Sequence, residues 1–265
     1  KNRITNLEGT EGEDPDNNKL WRLEGHPIGS FYGYRYLGVY QNTDATYARD
    51  AEGQVMNDAN GKPIVMKNLT ATCQPGDAKY EDVNHDGVIN QYDIVYLGNS
   101  NPVVTGGAGL TVKWKQLSLS AFFHGRFGQS IVNSTRMNNE AMYNASNQST
   151  AVLRRWKNEG DETDIPRALF NQGYNYLGSD RFVEDASFVR LKTLTLNYAF
   201  PKKICNRFGI NSLSIFATGY NLFTWTNYTG QDPEVSIPSE PTKLATDGST
   251  TPVARKYTFG INLSF

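Results

Sequence analysis

The sequence predicts an all-β protein whose strands are those of an antiparallel transmembrane barrel. Three observations predict it. Large apolar residues alternate with small polar ones along runs of about ten residues, the length of a tilted strand crossing a bilayer. The connections between these runs are alternately short and long. The composition is polar on average, with 38% hydrophobic residues, yet it is rich in rings, with 15 Tyr and 13 Phe. That mixture suits strands that are apolar on one face only.

Taken in order, the first clear strand is Thr105–Trp114, where Ala108, Leu110, Val112 and Trp114 alternate with Gly109, Thr111 and Lys113. Gly106-Gly107-Ala108-Gly109 lacks the Lys-Ser/Thr of a phosphate-binding loop and reads as a glycine-rich strand start. A tight turn at Lys115-Gln116 leads to Leu117–Gly128, with Leu117, Leu119, Ala121 and Phe123 in phase. In Phe188–Phe200 the residues Leu194, Leu196, Tyr198 and Phe200 share one parity, whereas Val189 and Leu191 have the other. This places a bulge near Lys192. Pro201 ends the strand because it has no N–H for a ladder. Leu213, Ile215 and Ala217 open the next strand, Leu213–Phe223. Tyr257, Phe259, Ile261, Leu263 and Phe265 mark the last, alternating with Thr258, Gly260, Asn262 and Ser264.

Period two alone fits a soluble sandwich as well as a barrel. The connections choose between them. The turns at 115–116 and 201–211 are short or moderate, whereas 131–186 and 226–256 are long. Outer-membrane barrels have short periplasmic turns and long extracellular loops. The strands therefore run alternately down and up, and the last one ends at the periplasmic rim. Phe265, Leu263 and Gly260, with polar Thr258 before them, fit an outer-membrane assembly signal. The chain begins Lys1-Asn2-Arg3, with no initiator Met or signal sequence, and is expected to be part of a longer protein.

Other classes are poorly supported. With 26 basic and 27 acidic residues, the charge balance gives no reason to invoke nucleic acid. No run of about 18 apolar residues forms a membrane helix. Cys73 and Cys205, and His26, His85 and His124, are scattered without zinc spacing, and no nucleophile–base motif points to an enzyme.

Residues 71–100 hold the most specific local motif, the Asp-rich loop Asp82–Asp93. Asp82, Asn84 and Asp86 stand where an EF-type loop supplies side-chain oxygens at positions 1, 3 and 5. Gly87 permits the turn, the Val88 carbonyl is the seventh position, Asn90 the ninth and Asp93 the twelfth. The expected ion is Ca2+, held structurally on the extracellular side. The competing reading is an Asx-rich turn without an ion. A single copy without flanking helices argues against a calcium sensor or a dockerin.

Several blocks resemble one family. Gly25–Tyr34, Gly76–Tyr80 with Asp82–Asp93, Leu97-Gly98-Asn99 with Thr105-Gly106-Gly107, Ser179–Lys192, Asn221–Thr226 with Asp232-Pro233-Glu234, and Tyr257–Gly260 are similar to SusC-like TonB-dependent outer-membrane transporters, in the family's order. The resemblance implies that residues 1–265 are the C-terminal part of a barrel of about 22 strands, with clear strands and loops over 105–265. The plug domain is absent from this chain. It further implies a SusD-like surface lipoprotein, TonB as energy source, the outer membrane of a Gram-negative bacterium, and import of oligosaccharides or oligopeptides. A passive porin-like channel and a soluble calcium-dependent carbohydrate-binding or adhesion module are the alternatives. Candidate substrate contacts are Arg126, in the lumen parity near the extracellular strand end, and Tyr143, Trp156, Tyr174 and Tyr176 in the long connection after Ile131, since sugars stack on such rings.

Overall fold

The structure is a computed structural model that describes residues 3–5, 24–234 and 244–265. In chain order the strands are β1 (Ser30–Gly33), β2 (Tyr36–Val39), β3 (Lys67–Asn68), β4 (Ala71–Thr72), β5 (Ala78–Tyr80), β6 (Val88–Ile89), β7 (Val95–Asn99), β8 (Val104–Trp114), β9 (Leu117–Phe127), β10 (Ser130–Val132), β11 (Val183–Asp185), β12 (Phe188–Ala199), β13 (Ser212–Thr226) and β14 (Lys256–Ser264). Two short helices, α1 (Ser134–Asn139) and α2 (Lys202–Arg207), lie in connections. The chain forms two compact units.

One unit is a five-stranded antiparallel meander in the order β14-β13-β12-β9-β8. Each strand predicted between 105 and 265 is present, with ends shifted by at most a few residues. The registers Leu110↔Ala121, Ala121↔Leu194, Leu194↔Gly219 and Gly219↔Tyr257 carry one face across all five strands. The next rows, Val112-Leu119-Leu196-Ala217-Phe259 and Trp114-Leu117-Tyr198-Ile215-Ile261, are apolar throughout. Phe259 is 79% exposed, Ile261 70% and Trp114 68%. A contiguous apolar face of this extent would be unstable in water and marks a surface that meets lipid or protein. Aromatic rings border it above, at Phe123, Phe223, Trp225 and Tyr257, and below, at Trp114, Tyr198 and Phe265. Such girdles flank the apolar band of membrane barrels.

The opposite face is polar. Thr111↔Ser120, Ser120↔Thr195, Thr195↔Thr218 and Thr218↔Thr258 form one transverse row of hydroxyls. Thr111 and Ser120 lie 3.0 Å apart, and Thr195 and Thr218 lie 2.9 Å apart. Rings on this face lie over glycines of the neighbouring strand. Phe216 covers Gly260, and a Cβ on Gly107 would come within 2.8 Å of the Phe122 ring. This is the aromatic cover that glycines in sheets require.

The bulge expected near Lys192 is present. Against β9, one extra residue of β12 fits between Leu191↔Phe123 and Thr193↔Phe122. A second irregularity was not foreseen. Between Phe223 and Tyr220, β13 has one residue more than β12, and Asn221 adopts φ 53° there. Lys115, in the two-residue turn between β8 and β9, has φ 53°, as tight hairpins demand. The 201–211 connection holds α2, which buries Cys205.

The other unit gathers the residues before 101 with those of 131–184 and 244–249. Its short strands pair as β1-β7, β2-β5 and β4-β3-β6. One apolar cluster contains Tyr34, Tyr40, Met66, Cys73, Tyr80 and Ile89. A second contains Met142, Val152, Ile165, Tyr176 and Phe182. Each large side chain so buried contributes about 1.5–3 kcal/mol. The long connection after β9 is thus a folded element with its own core.

Candidate functional site

The Asp82–Asp93 loop is wound by its own side chains. Asp82 accepts from Gly87 N at 2.8 Å, and Asp86 accepts from Val88 N at 2.8 Å. Asn84 donates to Asp86 at 3.0 Å, and Asn90 donates to the Val88 carbonyl at 3.0 Å. His85 at φ 57° and Gly87 at φ 82° make the sharp reversal. Asp93 closes the base. It is fully buried and accepts from Val83 N and Asn90 N, both at 2.8 Å. Burial raises its pKa, and the nearby Asp82 charge adds to the rise. All six candidate positions therefore lie on one loop, and each brings an oxygen, the donor type that hard cations take, with those oxygens engaged by the loop's own N–H groups. Among the described residues, no three Asp, Glu, His or Cys side chains converge as a metal-holding group.

The aromatic candidates are divided by exposure. Tyr176 is buried, stacks on Phe182 with centroids 6.4 Å apart, and donates its hydroxyl to the Glu140 carbonyl. Its pKa is pushed up to about 12 by burial. Trp156 packs directly over Gly76, whose φ of 88° and lack of a Cβ allow the approach. Tyr174 accepts from Arg167 at 3.1 Å. Tyr143 remains 38% exposed beside Tyr176. Three of the four rings thus serve packing or a hydrogen-bond network, and Tyr143 has the accessible face.

Arg126 sits in β9 opposite Thr105 and Phe188, on the polar face with His124 two residues before it. Its Nε is buried without a hydrogen-bond partner.

Ion-pair networks were not read from the sequence, and one in each unit illustrates them. In the loop unit, Arg167 Nε donates to Asp77 at 2.7 Å, Asn175 donates to the same carboxylate at 3.1 Å, and Gln74 N adds a third bond at 2.8 Å. In the sheet unit, buried Arg190 pairs with Asp232, and Glu234 lies 2.9 Å from both Arg190 and Lys192. Asp232 also accepts from Val253 N at 3.2 Å. Both halves of this second network stood in recognised blocks. Their sequence separation of 42 residues gave no sign that they meet.

Comparison with known proteins agrees with this geometry. No family model matches the chain. TonB-dependent receptor P26 of Formosa agariphila is 30% identical over 278 residues, covering 100% of this chain and 26% of that protein. TonB-dependent receptor P3 of the same organism is 29% identical over 91% of the chain and 22% of its own length. TonB-dependent receptor SusC of Bacteroides thetaiotaomicron is 28% identical over 100% of the chain and 23% of its own length. Among solved structures, the RagAB peptide importer superposes with a TM-score of 0.69 in its closed-closed state, at 24% identity over 99% of the chain and 26% of that protein. The open-open state gives 0.68 at 23% identity, over 99% of the chain and 25% of that protein. The chain spans about a quarter of the length of these relatives.

The fold is therefore a segment of a large membrane β-barrel with folded loops. Over most or all of its length the chain is homologous to proteins named TonB-dependent receptors, SusC among them, which are named as receptors and not as enzymes.

Proposed function

We propose that this chain forms part of the wall and the loops of an outer-membrane receptor that imports oligosaccharides or oligopeptides by TonB-driven transport, beneath a SusD-like lipoprotein. The observation that carries the reading is the five-stranded sheet with an apolar, ring-bordered outer face and a hydroxyl-lined inner face. The long connections all leave from one end of that sheet, as extracellular loops do. Arg126 and Tyr143 are the proposed cargo contacts with accessible or unpaired groups. Tyr174, Trp156 and Tyr176 shape the loop unit that carries Tyr143.

Calcium at Asp82, Asn84, Asp86, Val88, Asn90 and Asp93 belongs to the same proposal. The spacing, the oxygen-only donor set and the buried Asp93 carboxylate beside a second carboxylate support it. Bound there, a cation would supply charge neutralisation and rigidity.

Uptake of labelled oligopeptides and oligosaccharides by cells carrying the complete receptor tests the reading. Import that stops when the proton gradient is collapsed supports active transport. Import that continues unchanged would make the protein a passive channel.

A further inference from the structure

The short-connection end of the sheet carries a feature that barrel closure does not require. Pro201 starts α2, and Cys205 is turned inward, with its Sγ 3.8 Å from the Phe200 carbonyl. Anchoring that residue turns the rest of the short helix outward. Ile204 is 41% exposed and Phe208 73% exposed, one turn apart. Lys202, Lys203 and Arg207 are exposed around them, as is Lys115 in the neighbouring turn. Residues 113–118 and 198–214 contain no Asp or Glu. Lys202, Lys203 and Arg207 have no carboxylate partner among the described residues. Apolar residues flanked by uncompensated cations are the composition of an element that lies in a membrane interface.

The outer face beside this end is grooved. Ala217 lies between Leu196 and Phe259 in one cross-strand row, so a small residue sits between two large ones. The resulting groove, of about 440 Å³, is lined by Leu117, Leu196, Tyr198, Ile215, Ala217 and Phe259. Leu117 and Tyr198 are its lower border and pair with each other directly above the turns. An alkyl chain fits the groove chemically. A negative headgroup fits the cations below it, because guanidinium and ammonium groups bind phosphate oxygens by charge-assisted hydrogen bonds.

We propose that this end of the sheet binds one anionic phospholipid. Its acyl chain lies in the groove at Ala217, and its phosphate lies among Lys202, Lys203 and Arg207. The inference rests on the barrel lying in a membrane, and its test separates the two. The complete receptor is purified, and retention of phosphatidylglycerol and phosphatidylcholine is compared by native mass spectrometry. Heat-modifiable gel mobility reports whether each variant is a folded barrel. Wild type retains phosphatidylglycerol several-fold better. The combined Lys202→Ala, Lys203→Ala, Arg207→Ala variant loses the preference while its gel mobility stays that of a folded barrel. Ala217→Phe fills the groove and lowers retention of both lipids without changing the preference. Equal retention of the two lipids by wild type, a preference that survives the triple change, or complete displacement of phosphatidylglycerol by inorganic phosphate would overturn the proposal. A wild-type protein that does not insert into vesicles at all would instead remove the membrane reading beneath it.

Discussion

Thr195 and Thr218 share a hydrogen bond of 2.9 Å across the β12–β13 pair, at the centre of the hydroxyl row on the inner face. Neutral bonds of this kind contribute about 0.5–1.5 kcal/mol. Thr218→Val keeps the shape and removes one hydroxyl, leaving Thr195 able to reach water. The unfolding midpoint should fall only slightly, by less than that of a core truncation. A loss of several kcal/mol in denaturant titration would mean the row is sealed from solvent.

The outward direction of the odd residues in β14 is directly measurable. Spin labels at Phe259 and Ile261 should be accessible to oxygen and shielded from a water-soluble quencher. Labels at Thr258 and Asn262 should show less lipid exposure. Identical environments for both sets would refute the orientation of the sheet.

Arg190 is buried, and Asp232 and Glu234 supply its counter-charges. Removing Asp232 leaves Arg190 only Glu234, which it shares with Lys192, so the cost should lie below the about 3–5 kcal/mol of a buried charge left wholly unpaired. Asp232→Ala should therefore free the connection between β13 and β14, which Asp232 also ties through Val253 N. Limited proteolysis should cut that connection faster in the variant, while the strands remain protected. Unchanged cleavage would show that the pair does not hold it.

Burial raises the pKa of Asp93 above its ordinary value of 3.8, aided by Asp82. An acid whose pKa is raised on folding gives its stability below the unfolded value and loses it as pH rises through the folded value. In chelator, the protection of the 82–93 backbone against hydrogen exchange, taken relative to the unfolded chain at each pH, should thus fall as pH is raised from below 3.8 toward neutral. Calcium should reverse this trend at neutral pH, and Asp86→Ala should weaken the reversal while leaving barrel assembly intact. A loop indifferent to calcium at neutral pH would leave only the Asx-turn reading.

Cys73 and Cys205 are both free and buried. Burial, with Asp77 nearby, pushes the Cys73 thiol up to about 12, so almost none is thiolate at neutral pH. Alkylation of Cys73 in the folded protein should be far slower than after denaturation. Rapid native labelling would place that thiol at the surface.

The sheet was legible because a single face period runs through it. Lys192 was found because one extra residue flips the parity between Leu191 and Leu194. The irregularity at Asn221–Leu222 stayed hidden for the complementary reason. Relative to β9, β13 carries two extra residues between Gly219 and Phe223, and an even insertion restores the alternation. α2 escaped because six residues are too few to display a helical period. In the candidate site, Asp82–Asp93 was readable as a contiguous spacing. Arg167 with Asp77, 90 residues apart, was not, since only the folded loop brings them together. Tyr176 and Trp156 looked like free rings for the same reason.

The hydroxyl row has a consequence for traffic along the wall. Thr111, Ser120, Thr195, Thr218 and Thr258 carry no net charge at any ordinary pH, and each trades a neighbour for water at little cost. If the sheet walls a transport path, as proposed, a solute at that level would meet no fixed Coulomb barrier. Fixed cations of the same face stand on either side of the row, Arg126 above it and Lys113 below it. Charge on such a solute would be felt on either side of the row and not at it.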